Sequence, residues 1–208
     1  MTQAKARGPY TKTPARRAEI VRAARDSFAE HGFAKASLRD IAERVGITHA
    51  GLLHHFRSKD DLLAAVLAER DTEEWQYAES QVPDMEHLAP YLGDLLRHHQ
   101  QVPELMRLWI ELAVAASRPE HPAHDYFVWR YDKVRDNFAQ GMREKADKGE
   151  LHEALDPEHA ATLLQAVLNG LQLQWLLDQD LDIVGPVGDF MRMAFPQATE
   201  PVEPEDEA

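Results

Sequence analysis

The 208-residue sequence contains no cysteine, which excludes a disulfide framework, a zinc–thiolate site and a cysteine nucleophile. It also lacks any apolar run near the ~20 residues needed to cross a bilayer. The opening Met1-Thr2-Gln3-Ala4-Lys5 carries no hydrophobic stretch of signal-peptide type. The expected setting is therefore cytoplasmic, with no membrane partner. Strand-like alternation of Val, Ile and Thr is missing too, whereas apolar residues recur three and four apart, so the expected fold class is all-α. No glycine-rich phosphate loop is present and no nucleophile has an evident base, so an enzyme finds no support. The pairs His98 with His99 and His121 with His124 come without further obvious metal ligands; no cofactor, metal or catalytic residue is expected.

What is present is unevenly distributed. A formal net charge of −13 argues against a nucleic-acid partner only until it is divided: residues 1–60 hold 12 Lys or Arg against 6 Asp or Glu, and residues 61–208 hold 11 against 30. A basic head on an acidic body is the footprint of a DNA-reading module whose remainder stays off the phosphates. A chance basic tail on an acidic protein is the plainer alternative at this point.

Helix punctuation gives about nine helices. Thr13-Pro14 reads as an N-cap followed by proline at the first helical position, and Ile20, Ala24 and Phe28 mark one face. Gly32 in the left-handed region should end that helix and fold Phe33 back on Phe28 in a Schellman closure. Ser37-Leu38-Arg39-Asp40 has capping-box spacing, Gly46 stops the short helix that follows, and Thr48 caps another with Leu52 and Phe56 inward. Ser58 to Asp61 is a second capping box, opening a long helix through Leu62, Leu63, Val66 and Leu67. Further helices are expected over Leu88 to Leu96, Leu105 to Val114, Tyr126 to Met142, His159 to Leu177 and Val184 to Ala194, separated by Pro83, Pro103, Pro119 with Pro122, Gly149 with Pro157, and Asp178 to Asp182. Residues 198–208 are rich in Pro and Glu and read as a disordered acidic tail.

Two short helices joined at Gly46 make a helix-turn-helix between Ser37 and Phe56. The second begins with small or polar residues, Thr48, His49, Ala50 and Gly51, which allow its backbone to approach a groove floor while Leu52 anchors it. Arg39 is placed to reach a phosphate or a guanine edge, and Ser37 and Lys59 begin helices whose free amides attract phosphate. Lys5, Arg7 and Lys12, followed by Arg16 and Arg17, suit either a minor-groove arm or a solvated tail.

The stretch from Ser37 through Arg39, Gly46, Thr48, His54, His55 and Lys59 to Leu63 resembles the DNA-binding signature of the tetracycline-repressor (TetR) family, and Ile20 to Phe33 resembles that family's first helix and its Gly-Phe ending. The resemblance implies DNA contacts at Ser37, Arg39, Thr48, His49, Ala50, Gly51, Leu53, His54, His55 and Lys59. Leu53 departs, since the family usually has tyrosine there. Leucine cannot hydrogen-bond but can pack on a thymine methyl. For His54 and His55 taken singly, packing or capping is an equal alternative.

The resemblance further implies a basic arm at 1–13, a DNA-binding domain at 14–58, and an effector-binding and dimerisation domain at 59–197 ahead of the tail. It implies a homodimer on a palindromic double-stranded operator, repressing until a small-molecule effector releases it. Tyr91, Leu95, His98, Trp109, Tyr126 and Trp129 mix aromatic and polar groups suited to an effector cavity. Leu164, Val167, Leu168, Leu171, Trp175, Phe190 and Met191 offer an apolar face for the dimer, with ordinary core as the alternative. A DNA-packaging protein without a sensor is the competing reading within the DNA-binding class.

Overall fold

A computed structural model describes residues 12–81 and 88–196. The arm up to residue 11, Pro83 and the tail at 198–208 lie outside the described residues, as do the side chains of Lys12 and Thr13. Among the described residues the chain forms nine helices: α1 (Lys12–His31), α2 (Leu38–Arg44), α3 (His49–His55), α4 (Lys59–Gln81), α5 (Leu88–Gln100), α6 (Pro103–Ala115), α7 (His124–Asp147), α8 (Pro157–Leu177) and α9 (Gly185–Ala194). None is long and apolar enough to cross a membrane.

The helix ends follow from local chemistry, with corrections to the sequence reading. Helix α1 starts at Lys12, two residues before the expected Pro14. Proline is still tolerated there because it lies in the first turn, whose N–H groups have no intrahelical acceptor. At Gly32 (φ 75°) a single bond runs from its N–H to the Phe28 carbonyl at 2.8 Å. That is the simpler left-handed ending rather than the expected Schellman pair. The expected apolar contact is nevertheless made, with the Phe28 and Phe33 rings edge-on at 5.3 Å.

The Schellman pair occurs instead after α2, where Ile47 N–H donates to Ala42 O at 2.9 Å and Gly46 N–H to Glu43 O at 3.0 Å, with Gly46 at φ 67°. Among the described residues nothing beyond its chain neighbours stands within 4 Å of where a Cβ on Gly46 would lie, so it is backbone conformation rather than space that calls for glycine. The capping boxes are looser than expected. Ser37 Oγ accepts from Arg39 N–H at 3.2 Å, one residue earlier than a capping box requires. Ser58 Oγ accepts from Asp61 N–H as expected at 3.0 Å, but the Asp61 carboxylate reaches back to Arg57 N–H rather than Ser58.

Two cores organise the packing. The first joins Ile20, Ala24 and Phe28 of α1, Ile41 of α2, Leu52 of α3, Phe56 and Leu62, Leu63, Val66 and Leu67 of α4 to Leu108, Trp109 and Leu112 of α6 and Phe127 of α7. It crosses the expected boundary at residue 58, because α1 packs on α6 as well as on α4. The second core lies among α5, the end of α7, α8 and α9, around Leu92, Leu96, Met142, Leu164, Leu168, Trp175, Ile183 and Met191. Each fully buried side chain of this size contributes roughly 1.5–3 kcal/mol of hydrophobic stabilisation, so α2 and α3, seven residues each, owe their order to these contacts rather than to helix propensity.

Candidate nucleic-acid interface and cavity

Helix α3 is anchored on one side only. Leu52 and the following Phe56 are fully buried, while Thr48, Ala50, Leu53 and His54 are exposed and His49, Gly51 and His55 half-buried. Thr48 sits at the N-cap in extended conformation, and its Oγ1 accepts from Gly51 N–H at 3.0 Å. That cap satisfies one of the first-turn donors and fixes where the helix begins. Arg39, on the exposed side of α2, makes no side-chain ion pair among the described residues. Its guanidinium is uncommitted by the fold and suited to a phosphate or a base edge.

Two neighbouring arginines of α1 behave differently from the arm-like role expected of them. Arg16 Nη1 donates to the carbonyl of Val45, the C-cap of α2, at 3.1 Å and pairs with Glu19 at 2.8 Å. Arg17 Nη1 donates to the carbonyl of His55, the last residue of α3, at 2.7 Å, with its guanidinium 3.9 Å from the centre of the Phe56 ring. Each cation therefore meets the negative end of one helix of the helix-turn-helix and satisfies a carbonyl that has no helical partner. Nothing in the spacing of Arg16 and Arg17 reveals this, because their acceptors lie 29 and 38 residues away.

Lys59 is also drawn inward. Its ammonium donates to Ala34 O at 3.0 Å and lies 4.8 Å from the centre of the Phe33 ring, and burial lowers its pKa from the ordinary lysine value. A bond from Arg44 to Glu30 ties α2 to the end of α1 and lowers the Glu30 pKa.

A cavity of about 330 Å³ lies between α1, α4, α5 and α6. Of the six residues expected to line it, Leu95, His98 and Trp109 do so. Tyr126 instead stands behind Trp109, edge-on at 6.0 Å, with burial raising its phenol pKa. Tyr91 packs against the second core, and Trp129 is 51% exposed on α7. The sequence reading missed Arg25 and Arg70, together with Leu105, Met106 and Leu112. The periodicity of α6 signalled a buried face but not the void beside it.

His99, His121 and His124 each bond within the fold. His99 Nδ1 meets buried Gln172 Nε2 at 3.0 Å, His121 Nδ1 accepts from Ala123 N–H, and His124 Nδ1 bonds Ala116 O at 2.8 Å. Among the described residues no group of three or more His, Asp or Glu side chains is placed to hold a metal ion.

The expected dimer residues divide. Leu164, Leu168, Trp175 and Met191 are buried in the second core of their own chain, and Val167, Leu171 and Phe190 are half-buried against it. The apolar side chains that α8 and α9 leave outside are Leu163, Leu173, Leu177 and Met193, at 48%, 47%, 82% and 66% exposure.

Residues 20–66 match the family model described as bacterial regulatory proteins, tetR family, and residues 85–183 match the model of the BetI-type transcriptional repressor, C-terminal. The A-factor receptor protein of Streptomyces griseus is 27% identical over 184 residues, covering 88% of this chain and 63% of the relative. The HTH-type transcriptional repressor Rv1474c of Mycobacterium tuberculosis is 46% identical over 59 residues, 28% of this chain and 31% of the relative. The chain thus spans under two thirds of the length of both. The SmeT–triclosan complex, SmeT being a repressor from Stenotrophomonas maltophilia, superposes with a TM-score of 0.75 at 23% identity over 93% of this chain and 99% of that one, a likeness of fold.

Proposed function

Because the chain belongs to the tetR family of bacterial regulatory proteins, we propose that it is a transcriptional repressor. It binds a palindromic operator as a homodimer and releases it when a small molecule fills the cavity beside α4 and α6. The family is one of regulators and not of enzymes. The observation that carries the reading is the one-sided anchoring of α3: Leu52 holds the helix to the head while Thr48, Ala50, Leu53 and His54 face outward, and Arg39 is exposed on α2. A short helix with an exposed, small and polar first turn is what a major groove admits.

The dimer is supported by the apolar side chains left outside on α8 and α9 and by the twofold symmetry that a palindrome demands. With its two α3 helices about 34 Å apart, one turn of DNA, the free dimer matches both half-sites. A ligand that prefers another spacing lowers DNA affinity by the coupling energy, typically ~1–3 kcal/mol. The cavity borders α4, which leads out of the head, and reaches Arg25 of α1. The SmeT–triclosan complex supports a small molecule as the signal.

The test is selection of a binding sequence from random DNA, followed by footprinting. One protected palindrome is expected, and uniform protection would instead indicate a packaging protein. Arg39→Ala and His49→Ala should each weaken that binding by ~1–3 kcal/mol, or roughly 5- to 150-fold, while sedimentation still reports a dimer. Unchanged affinity in both variants overturns the placement of α3 in the groove.

A further inference from the structure

The outward face of α3 carries a leucine. Ala50, Leu53 and His54 stand three and four apart and are all exposed, whereas Leu52 is fully buried, so the three share the face that turns away from the head. Leu53 is 37% exposed and, among the described residues from α1 to α3, is the large hydrophobic side chain left outside. Ala50, one turn before it, ends at a methyl and Gly51 has no side chain, so Leu53 is the longest apolar projection of that face. Its surroundings are cationic. Arg39, Arg57 and His54 are exposed, α3 contains no Asp or Glu, and residues 1–60 hold 12 Lys or Arg against 6 Asp or Glu. A protein partner needs a broad apolar patch, and α3 offers it one leucine; a polyanion is drawn by the charge.

We propose that Leu53 determines sequence specificity by packing against the C5-methyl group of a thymine in each half-site of the operator. This rests on reading α3 as the helix in the major groove. Among the groups that tell base pairs apart in that groove, the thymine methyl is the apolar one; the others are hydrogen-bond donors and acceptors, which a leucine cannot answer. A polar base edge set against Leu53 loses its water and gains no hydrogen bond in return, so the side chain selects against the other bases as well as for thymine. The contact takes the methyl and the leucine surface facing it out of water. Burying one such group is worth about fourfold in affinity (~0.8 kcal/mol), and with the leucine surface counted the effect is roughly four- to tenfold for each methyl.

The test uses the full-length protein and the sequence it selects from random DNA. Each thymine of that sequence is replaced singly by deoxyuridine, which removes the C5-methyl and leaves every hydrogen-bonding group in place. Affinity is then measured by gel shift for the wild type, Leu53→Ala and Leu53→Gln, the second variant covering the case in which the first does not fold. At matching places in the two half-sites there should be a thymine whose replacement weakens wild-type binding roughly four- to tenfold and changes binding by either variant by less than ~2-fold. A selected palindrome in which no single deoxyuridine weakens wild-type binding overturns this inference and leaves the regulator standing. A deoxyuridine penalty that persists undiminished in the folded variants also overturns it, since the methyl then meets another residue. Failure to select any sequence sinks the regulator, and the role of Leu53 with it.

Discussion

Arg17→Met tests whether the cations at the start of α1 grip DNA or hold the reading helix. In the structure Arg17 spends its charge on the His55 carbonyl, at 2.7 Å, and its face on the Phe56 ring, at 3.9 Å. Methionine keeps most of the apolar stem and removes the charge, so the change isolates the polar terms. A cation at an exposed helix C-terminus stabilises by ~0.3–1 kcal/mol, and an exposed cation–π contact by ~0.5–1 kcal/mol. The expected loss is therefore about 1–2 kcal/mol, or a Tm lower by roughly 2–8 °C for a domain of this size.

The discriminating measurement is the salt dependence of DNA affinity. A residue that neutralises one phosphate contributes about one unit to the slope of log affinity against log salt; a brace contributes none. The variant should bind DNA more weakly at every salt concentration, with the slope kept and the Tm lowered. A slope smaller by about one with an unchanged Tm would show that Arg17 leaves His55 for the phosphate backbone, and the bracing argument would fail.

Other perturbations separate fold from function. Leu52→Ala should cost ~2–5 kcal/mol, because that side chain is fully buried and leaves a cavity. Leu53→Ala, one residue along and 37% exposed, should stay near ±0.5 kcal/mol in stability while weakening DNA binding; equal melting losses in the two would show that α3 is not anchored on one side. Ser27 is fully buried and its Oγ has no hydrogen-bond partner among the described residues, so Ser27→Ala should raise stability by up to ~1 kcal/mol, and a clear loss in the thermal melt would reveal a bond to that hydroxyl. Leu173→Glu should yield a folded monomer by sedimentation, since the residue is 47% exposed, whereas Leu168→Glu should unfold the chain by burying an unpaired charge. A dimeric Leu173→Glu would move the interface elsewhere.

The head was legible because its signals are local. Capping residues, left-handed glycines and the spacing of Leu52 and Phe56 all act within one turn, so Thr48, Gly32 and Gly46 do in the structure what their types require. Arg16, Arg17 and Lys59 were less legible for the opposite reason. Positive charge near a DNA-reading motif suggests phosphate contacts, but these three answer carbonyl groups of the fold itself, brought near by tertiary packing. The cavity was half legible: composition picks out Leu95, His98 and Trp109, but a void is a property of how helices meet, and Arg25 reaches it from an element assigned to another domain.

Helix α8 shows the same limit in its sharpest form and points to a physical reason for the proposed dimer. Two apolar stripes run along it, each with the three- and four-residue steps of a packed helix. Leu164, Leu168, Leu171 and Trp175 form one, and Leu163, Ala166, Gly170, Leu173 and Leu177 form the other. From the sequence either could face inward. The structure gives the first to the protomer's own core and leaves the second at the surface, with no atom within 4 Å of where a Cβ on Gly170 would stand. A single exposed leucine needs no explanation, but a stripe of them, open at a glycine, is unfavourable on an isolated protomer. A twofold partner laying the same stripe against it removes that surface from water in both chains. In the proposed dimer the glycine would let the backbones approach, and the two-sided apolar character of α8 would be a requirement of assembly rather than an excess of core.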